Sequence, residues 1–398
     1  MEETPRESPK TIINEVGEQM ANSVSIDALR PELWQKELFA DVMDNLYFKR
    51  FMGEGSGNII QIKNDLKKSK GDVITVPLTT KLSGAGITGD SELEGKEEAI
   101  SAYSDSIAID QWRTAVRLTG KLDEQKNVYN MRTDAKEKLS IHLQEFIERQ
   151  IFLKLGGVNN LTTVTDVDTT VVSANALWSN TPQNAAQVTA IDTATAAGYA
   201  ERYLCADYTS GADDIAATDI ITPELISRVR IKAQLASPKI QPVKIDGKNH
   251  YVLFIHPWQA FDLKNNATFA QAQREAQSRG KDNPIFTGAL GVWDGVIIHE
   301  HEYVPHILAA TTNSKNFHSA TAGTQFTNGI HVFRALLCGQ QAAVFAQTSE
   351  SMGMVEETFD YKNKVGYATG LIGGIQKISF NSQDYGVVML DTSATNLV

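Results

Sequence analysis

The residues best equipped for chemistry are His299, Glu300 and His301, with His306 close behind. On a strand, His299 and His301 point to one face, as two metal ligands would. No third ligand follows at a zinc spacing, and the order His-Glu-His differs from the helical HExxH that sets two imidazoles one turn apart. A second set is Asp90, Glu92, Glu94 and Gly95, which imitates the first half of a calcium-binding loop. The twelfth position of such a loop needs a bidentate carboxylate and is Ser101 here. A third set, Gly370, Gly373 and Gly374 with Lys377, lacks the spacing that wraps backbone N–H groups around a phosphate. Its glycines suit a tight turn between strands instead. No GxSxG elbow occurs, and neither Cys205 nor Cys338 has a catalytic neighbourhood in sequence. The residue types therefore nominate no catalytic, metal or cofactor site. The histidine pair reads as a surface or interface pair, and His256 before Pro257 as the end of a strand and start of a helix.

Composition narrows the classes further. The 398 residues carry 37 Lys+Arg against 48 Asp+Glu, a formal charge of -11. That balance excludes a chain-wide grip on nucleic acid, which needs clustered excess cations. Aromatic residues nowhere interleave with basic ones as a stacking surface requires. Hydrophobic cores stop growing at roughly 250–300 residues, so more than one compact unit is expected. Two cysteines make no disulfide framework and suit a reducing compartment. Residues 1–23 lack the apolar run of a signal peptide, and no stretch approaches the ~18 apolar residues of a membrane span. The expectation is a soluble protein made inside the cell, with no membrane partner.

The elements that must position these residues follow from periodicity. Residues 1–25 read as a mobile arm and 26–53 as short helices. Lys63, Lys67, Lys68 and Lys70 form a small basic cluster. Residues 73–82 alternate with period two, placing Ile74, Val76, Leu78, Thr80 and Leu82 on one face of a strand ~33 Å long. Pro77 cannot donate to a ladder, so the strand lies at an edge or carries a bulge. A return strand spans about 99–118, and its parity slips near Asp110 and Gln111, the mark of a bulge or bend. Between them lies a glycine-rich tip with Asp90, Glu92, Glu94, Glu97 and Glu98. An isolated two-stranded ribbon is marginal in water, so it must pack on something else, and a neighbouring subunit is the economical choice. Residues 123–155 predict one amphipathic helix of roughly 45 Å, stopped by Gly156 and Gly157. Residues 158–220 are rich in Thr, Ala, Asn and Ser and read as a loop-rich insertion. Thr222, Pro223 and Glu224 open a helix, and Trp258–Ser278 reads as another, ended by Gly280. Short apolar strands at 251–255, 296–299, 335–337, 342–346 and 386–390 complete an α+β fold class.

This order of arm, hairpin, long helix and α+β domain resembles the major capsid protein of tailed bacteriophages, the Hong Kong 97-type coat fold. The local likeness is to the major capsid family of short-tailed phages. It is carried by Val76–Leu82 with Gly84–Gly86, Gly89-Asp90, Leu93-Glu94-Gly95 with Glu97-Glu98, and Ile109-Asp110-Gln111-Trp112-Arg113. His256-Pro257-Trp258-Gln259, Asn283–Val304, Leu337-Cys338-Gly339-Gln340-Gln341-Ala342 and Asp360–Thr392 carry the rest. The resemblance spans roughly 25–395.

It implies an N-terminal arm (1–70), an extended hairpin loop (71–118), a spine helix in a peripheral domain (119–157), an insertion (158–221), and an axial domain with returning peripheral strands (222–398). It implies a non-enzymatic virion protein, assembled in the host cytoplasm, whose pentamers and hexamers close an icosahedral shell around double-stranded DNA. Scaffolding and portal proteins are implied partners, with decoration proteins a further candidate. The implied interface comprises Val76, Leu78, Leu82, Asp90, Glu92, Glu94, Glu97 and Glu98, with Lys63, Lys67, Lys68 and Lys70 as the candidate partner cluster. For Lys81 and Lys96 on the hairpin no acceptor motif for covalent Lys–Asn cross-linking is found. The alternatives are a nonviral compartment of the same fold and, further off, an enzyme using His256 or His299.

Overall fold

The computed structural model describes residues 42, 45–63, 73–79, 88–89, 94, 97, 102–127, 131–157, 202–206, 215–245, 247–276, 289–307, 330–347, 354–380 and 383–395. The expected arm at 1–25 and nearly all of the insertion's first part lie outside them.

Two sheets share one long helix. In chain order, a 3-10 helix at Tyr47–Phe51 leads to β1 (Met52–Gly53), β2 (Ile60–Lys63), β3 (Val73–Thr79), β4 (Ala102–Ala108) and β5 (Asp110–Arg117). Helices α1 (Lys121–Lys126) and α2 (Met131–Leu155) follow, then β6 (Tyr203–Cys205), α3 (Pro223–Leu235), β7 (Val243–Ile245), β8 (Lys248–Ile255), α4 (Pro257–Asn265) and α5 (Ala267–Ala276). The chain closes with β9 (Gly291–Trp293), β10 (Val296–Glu300), β11 (His306–Ile307), β12 (Val332–Cys338), β13 (Ala343–Gln347), β14 (Val355–Phe359), β15 (Lys364–Lys377), β16 (Ser379–Phe380), β17 (Gln383–Asp384) and β18 (Val387–Ser393).

The eight-stranded sheet runs β6-β18-β12-β8-β10-β9, with β11 on β12 and β7 on β8. Its central strands read as continuous apolar runs because both faces are covered. Along β12, Leu336 and Cys338 face a core with Phe48, Ile151, Phe152 and Leu155, whereas Ala335 and Leu337 face one built on α3 and α4. Thr222 caps α3 as expected, its Oγ1 accepting the Leu225 N–H at 3.3 Å behind Pro223.

The six-stranded sheet runs β1-β2-β13-β15-β14, with β5 on the other side of β15. Helix α2 bridges the two sheets. Its ladder of Ala135, Leu139, Leu143, Ile147, Ile151 and Leu155 begins against Val365 and Tyr367 of β15 and ends beneath the eight-stranded sheet. Trp112 of β5 stacks on Phe146 of α2 at 4.0 Å and 13°. At ~1.5 Å per residue, 25 residues give a rod of about 37 Å.

Four expectations change. The helix predicted over 123–155 is two helices. Asn127 leaves α1 in extended backbone (φ -87, ψ 134), and Arg132 reaches back to Glu124 through Nε and Nη2, each at 3.1 Å. The helix expected at Trp258–Ser278 divides at Asn266, whose Oδ1 accepts the Thr268 and Phe269 N–H groups and starts α5; residues 277–280 lie outside the described set. The return strand is also two strands: β4 pairs with β3, while β5, one residue later, joins β15. The parity slip at Asp110 is thus a change of sheet. Finally, Gly370, Gly373 and Gly374 lie inside β15 and form no turn. A Cβ on Gly374 would meet the Ala108 carbonyl oxygen at 2.4 Å, so glycine there lets the base of the ribbon cross the sheet.

Candidate assembly surface

The ribbon is fastened at its base by its own chain. Ile74, Val76 and Ile107 pack on Val344, Ala346, Ile378 and Phe380, while Val73, Thr75 and Pro77 on the other parity are exposed. Asp105 fixes the ribbon's position, its Oδ2 accepting the Ser379 N–H at 2.9 Å and its Oδ1 that of Ser106. Burial pushes the Asp105 carboxyl above the usual range, against the pull of those N–H donors. Val76 is 3% exposed, so its apolar surface is completed within the subunit and not by a neighbour, contrary to the sequence expectation. Leu78 lies opposite Tyr103 in the β3–β4 register.

Beyond the last pair, Thr79 with Ala102, the tip residues Glu94 and Glu97 are exposed. Leu82, Asp90, Glu92 and Glu98 lie outside the described residues, as do Lys67, Lys68 and Lys70. Lys63 ends β2, half-buried beside Ala346 of β13. Among the described residues Lys63 and Glu94 form no ion pair.

The histidines are interior groups. His299 is buried, its ring 5.2 Å from that of Phe51, and His301 lies 4.5 Å from the Tyr47 ring and 4.7 Å from Phe152. This corrects the reading of a surface or interface pair: the end of β10 lies beneath the 3-10 helix and α2. His256 caps α4 in a capping box, its Nδ1 accepting the Trp258 N–H while Gln259 Oε1 accepts the His256 N–H. Among the described residues no group of three His, Cys, Asp or Glu is placed to hold a metal. Both cysteines are buried thiols, and burial pushes Cys338 far up, away from the thiolate a nucleophile needs.

Two buried constellations were not expected from sequence. Arg334 of β12 makes a bidentate pair with Asp391 of β18 at 2.7 and 2.6 Å. Tyr203 Oη donates to Asp391 Oδ2 at 3.0 Å, and Arg334 Nη1 donates to the Gly156 carbonyl at the end of α2. Burial, with the Asp391 charge beside it, raises the Tyr203 hydroxyl well above its ordinary value. The second constellation is Glu148 of α2, which gathers Tyr47, Gln144 and His301. The signal for the first was in the sequence, a lone charge inside an apolar run: Arg334 in VFRALLC and Asp391 in VVMLDTS. Glu148, beside Arg149 in a charged helix, carried no such mark.

A ribbon projecting from a subunit whose buried polar groups are structural ties is a geometry for assembly. Comparison with known proteins agrees. The chain is 27% identical over 387 residues to the major capsid protein of Pseudomonas phage KPP25, covering 91% of this chain and 94% of that one. It superposes on the capsid of Ralstonia phage GP4 with a TM-score of 0.72 at 26% identity, covering 98% and 100% of the two chains. The cyanophage Pam1 capsid gives a TM-score of 0.65 at 21% identity, over 94% and 99%, which extends the fold to more distant sequences. The fold is the Hong Kong 97-like coat fold of mixed helix and sheet. The family model for phage capsid proteins matches residues 22–396, ribbon, spine and both sheets included, and the chain belongs to that family.

Proposed function

We propose that this chain is the major, non-enzymatic subunit of a tailed-phage shell, its pentamers and hexamers closing around packaged double-stranded DNA. The observation that carries this reading is the extent of the family match, which takes in the ribbon and spine as well as the compact sheet. The acidic ribbon tip engages an adjacent subunit, with the Lys63–Lys70 segment as its basic counterpart. Assembly takes place in the host cytoplasm with scaffolding and portal proteins, decoration proteins being optional. A formal charge of -11 suits a wall that must not adhere to the DNA moving past it.

Electron microscopy of the expressed full chain tests the proposal. Closed shells, tubes or capsomer rings are expected; a uniform small oligomer under all assembly conditions overturns it. Genomic DNA inside purified particles distinguishes a virion from a protein compartment holding cargo enzyme.

A further inference from the structure

Glu148 is a carboxylate at 5% exposure on which three segments converge. The Tyr47 backbone N–H, at the start of the 3-10 helix, donates to its Oε1 at 2.8 Å. One turn back on α2, Gln144 Nε2 donates to the same oxygen at 3.3 Å and also to the Asn45 carbonyl. From the end of β10, His301 Nε2 lies 3.7 Å from Glu148 Oε2.

The His301 ring is held from its other side. Its Nδ1 accepts the Tyr303 backbone N–H at 3.2 Å, closing a turn in which the Val304 N–H also reaches the His301 carbonyl. With Nδ1 accepting, the proton of the neutral ring is on Nε2 and faces Glu148. A second proton has only Nδ1 to occupy, where it would oppose the Tyr303 N–H, donor against donor. The two arrangements of this ring are therefore exclusive.

We propose that His301 is an acid-operated latch between the spine helix and the eight-stranded sheet. Neutral, it holds the 301–304 turn shut; protonated, it releases the Tyr303 N–H and closes on Glu148. Nδ1 takes a proton from solvent and forms one N–H bond; every other change is an exchange of hydrogen bonds.

The surroundings favour the second state once the proton arrives. Burial works to raise the Glu148 carboxyl, yet the contacts of His301, the Tyr47 N–H and Gln144 together hold it below the usual carboxylate range. Held low in this way, Glu148 presents an anion to the ring. The other charged or titratable groups facing the turn are Arg50, over the Tyr47 ring at 4.8 Å, and Arg149, over the Tyr303 ring at 5.0 Å. Among the described residues, Tyr47 itself, His299, Tyr303, Glu145 and Glu302 face it as well. The two arginines oppose a new cation and the two acids support it. Glu148, in van der Waals reach of Nε2, decides between them.

Hydrogen–deuterium exchange of the full chain at pH 7 and pH 5, corrected for the intrinsic pH dependence of exchange, tests the latch. Peptides containing Tyr303 are expected to lose protection about tenfold on acidification, while those containing 252–255 of β8 keep theirs. His301→Gln, neutral at both pH values, is expected to show no pH-dependent loss. Glu148→Gln is expected to move the midpoint of opening down by about one pH unit, as removal of an adjacent opposite charge does. Unchanged protection at Tyr303, or the same loss in His301→Gln, overturns the latch. Should His301→Gln fail to fold, the wild-type chain still decides. A one-proton midpoint confined to 301–304 supports the latch, and loss spread across the whole sheet overturns it.

Discussion

At the scale of single residues, this subunit keeps its charges where they tie segments together. Arg334 and Asp391 are fully buried, and each satisfies the other. Removing one partner leaves an uncompensated charge in the core, typically at a cost of about 3–5 kcal/mol. Arg334→Leu is therefore expected to lower subunit stability by that order in urea unfolding. Arg334→Leu with Asp391→Leu should cost less than the single change, since no orphan charge remains. Lys154, also in the core, behaves differently: burial lowers its amine to about 8. Between pH 8 and its ordinary value near 10.4 the unfolded chain binds more protons than the folded one, so stability should rise with pH across that window. Lys154→Met removes this slope, which paired unfolding curves at pH 8 and pH 10 would reveal. Glu148 gives a slope of the same sign, at the acid end of the scale. Its carboxyl is held low, so its stabilisation is present above the unfolded value and lost as pH falls through the folded one. Glu148→Gln should flatten the acid limb of the stability profile.

At the scale of elements, the decisive event is the change of partner at Ile109. Seven residues of β4 pair with β3 and eight of β5 pair with β15, with one residue between. That crossing works because Gly374 leaves room for the Ala108 carbonyl. Gly374→Ala places a Cβ against backbone, which cannot rotate away, so the ribbon base must shift at a cost of roughly 1–3 kcal/mol. Limited proteolysis should then cut the variant faster within 73–108 than the parent, while β12 and β18 remain protected. Helix division belongs to this scale as well. Val128, Met131 and Ala135 continue a helical period through Asn127, yet the chain leaves the helix there, and the Arg132–Glu124 contact joins the two pieces.

At the scale of the whole molecule, the ribbon and the acid balance are the features that look outward. Glu94→Lys with Glu97→Lys reverses charge at two exposed positions. Each exposed ion pair contributes only about 0–1 kcal/mol, so the subunit should fold with an unchanged circular dichroism spectrum. Particle yield should nonetheless fall severalfold if the proposed tip contact recurs between subunits, since its small cost is then multiplied over the shell. A normal yield by sedimentation would remove the ribbon tip from the assembly surface and leave the capsid family assignment intact.

What the residues alone determined was where the main elements fall and their order, though not that both long helices and the return strand each divide. Period-two alternation marked the ribbon, and the i, i+4 ladder marked the spine. The Thr222-Pro223 start marked α3, because these patterns record which side of a local element meets water. The family likeness was legible for the same reason, being a likeness of ordered local patterns. Tertiary structure decided the partners. It put Val76 against Val344 and Phe380 instead of a neighbour, turned Gly370–Gly374 from a turn into a strand interior, and moved His299 and His301 inside. It also joined Arg334 to Asp391 across 57 positions and Tyr47 to Glu148 across 101. Periodicity reports one element's burial but carries no term for which distant segment supplies the other wall, and a buried charge is intelligible only once that wall is in place.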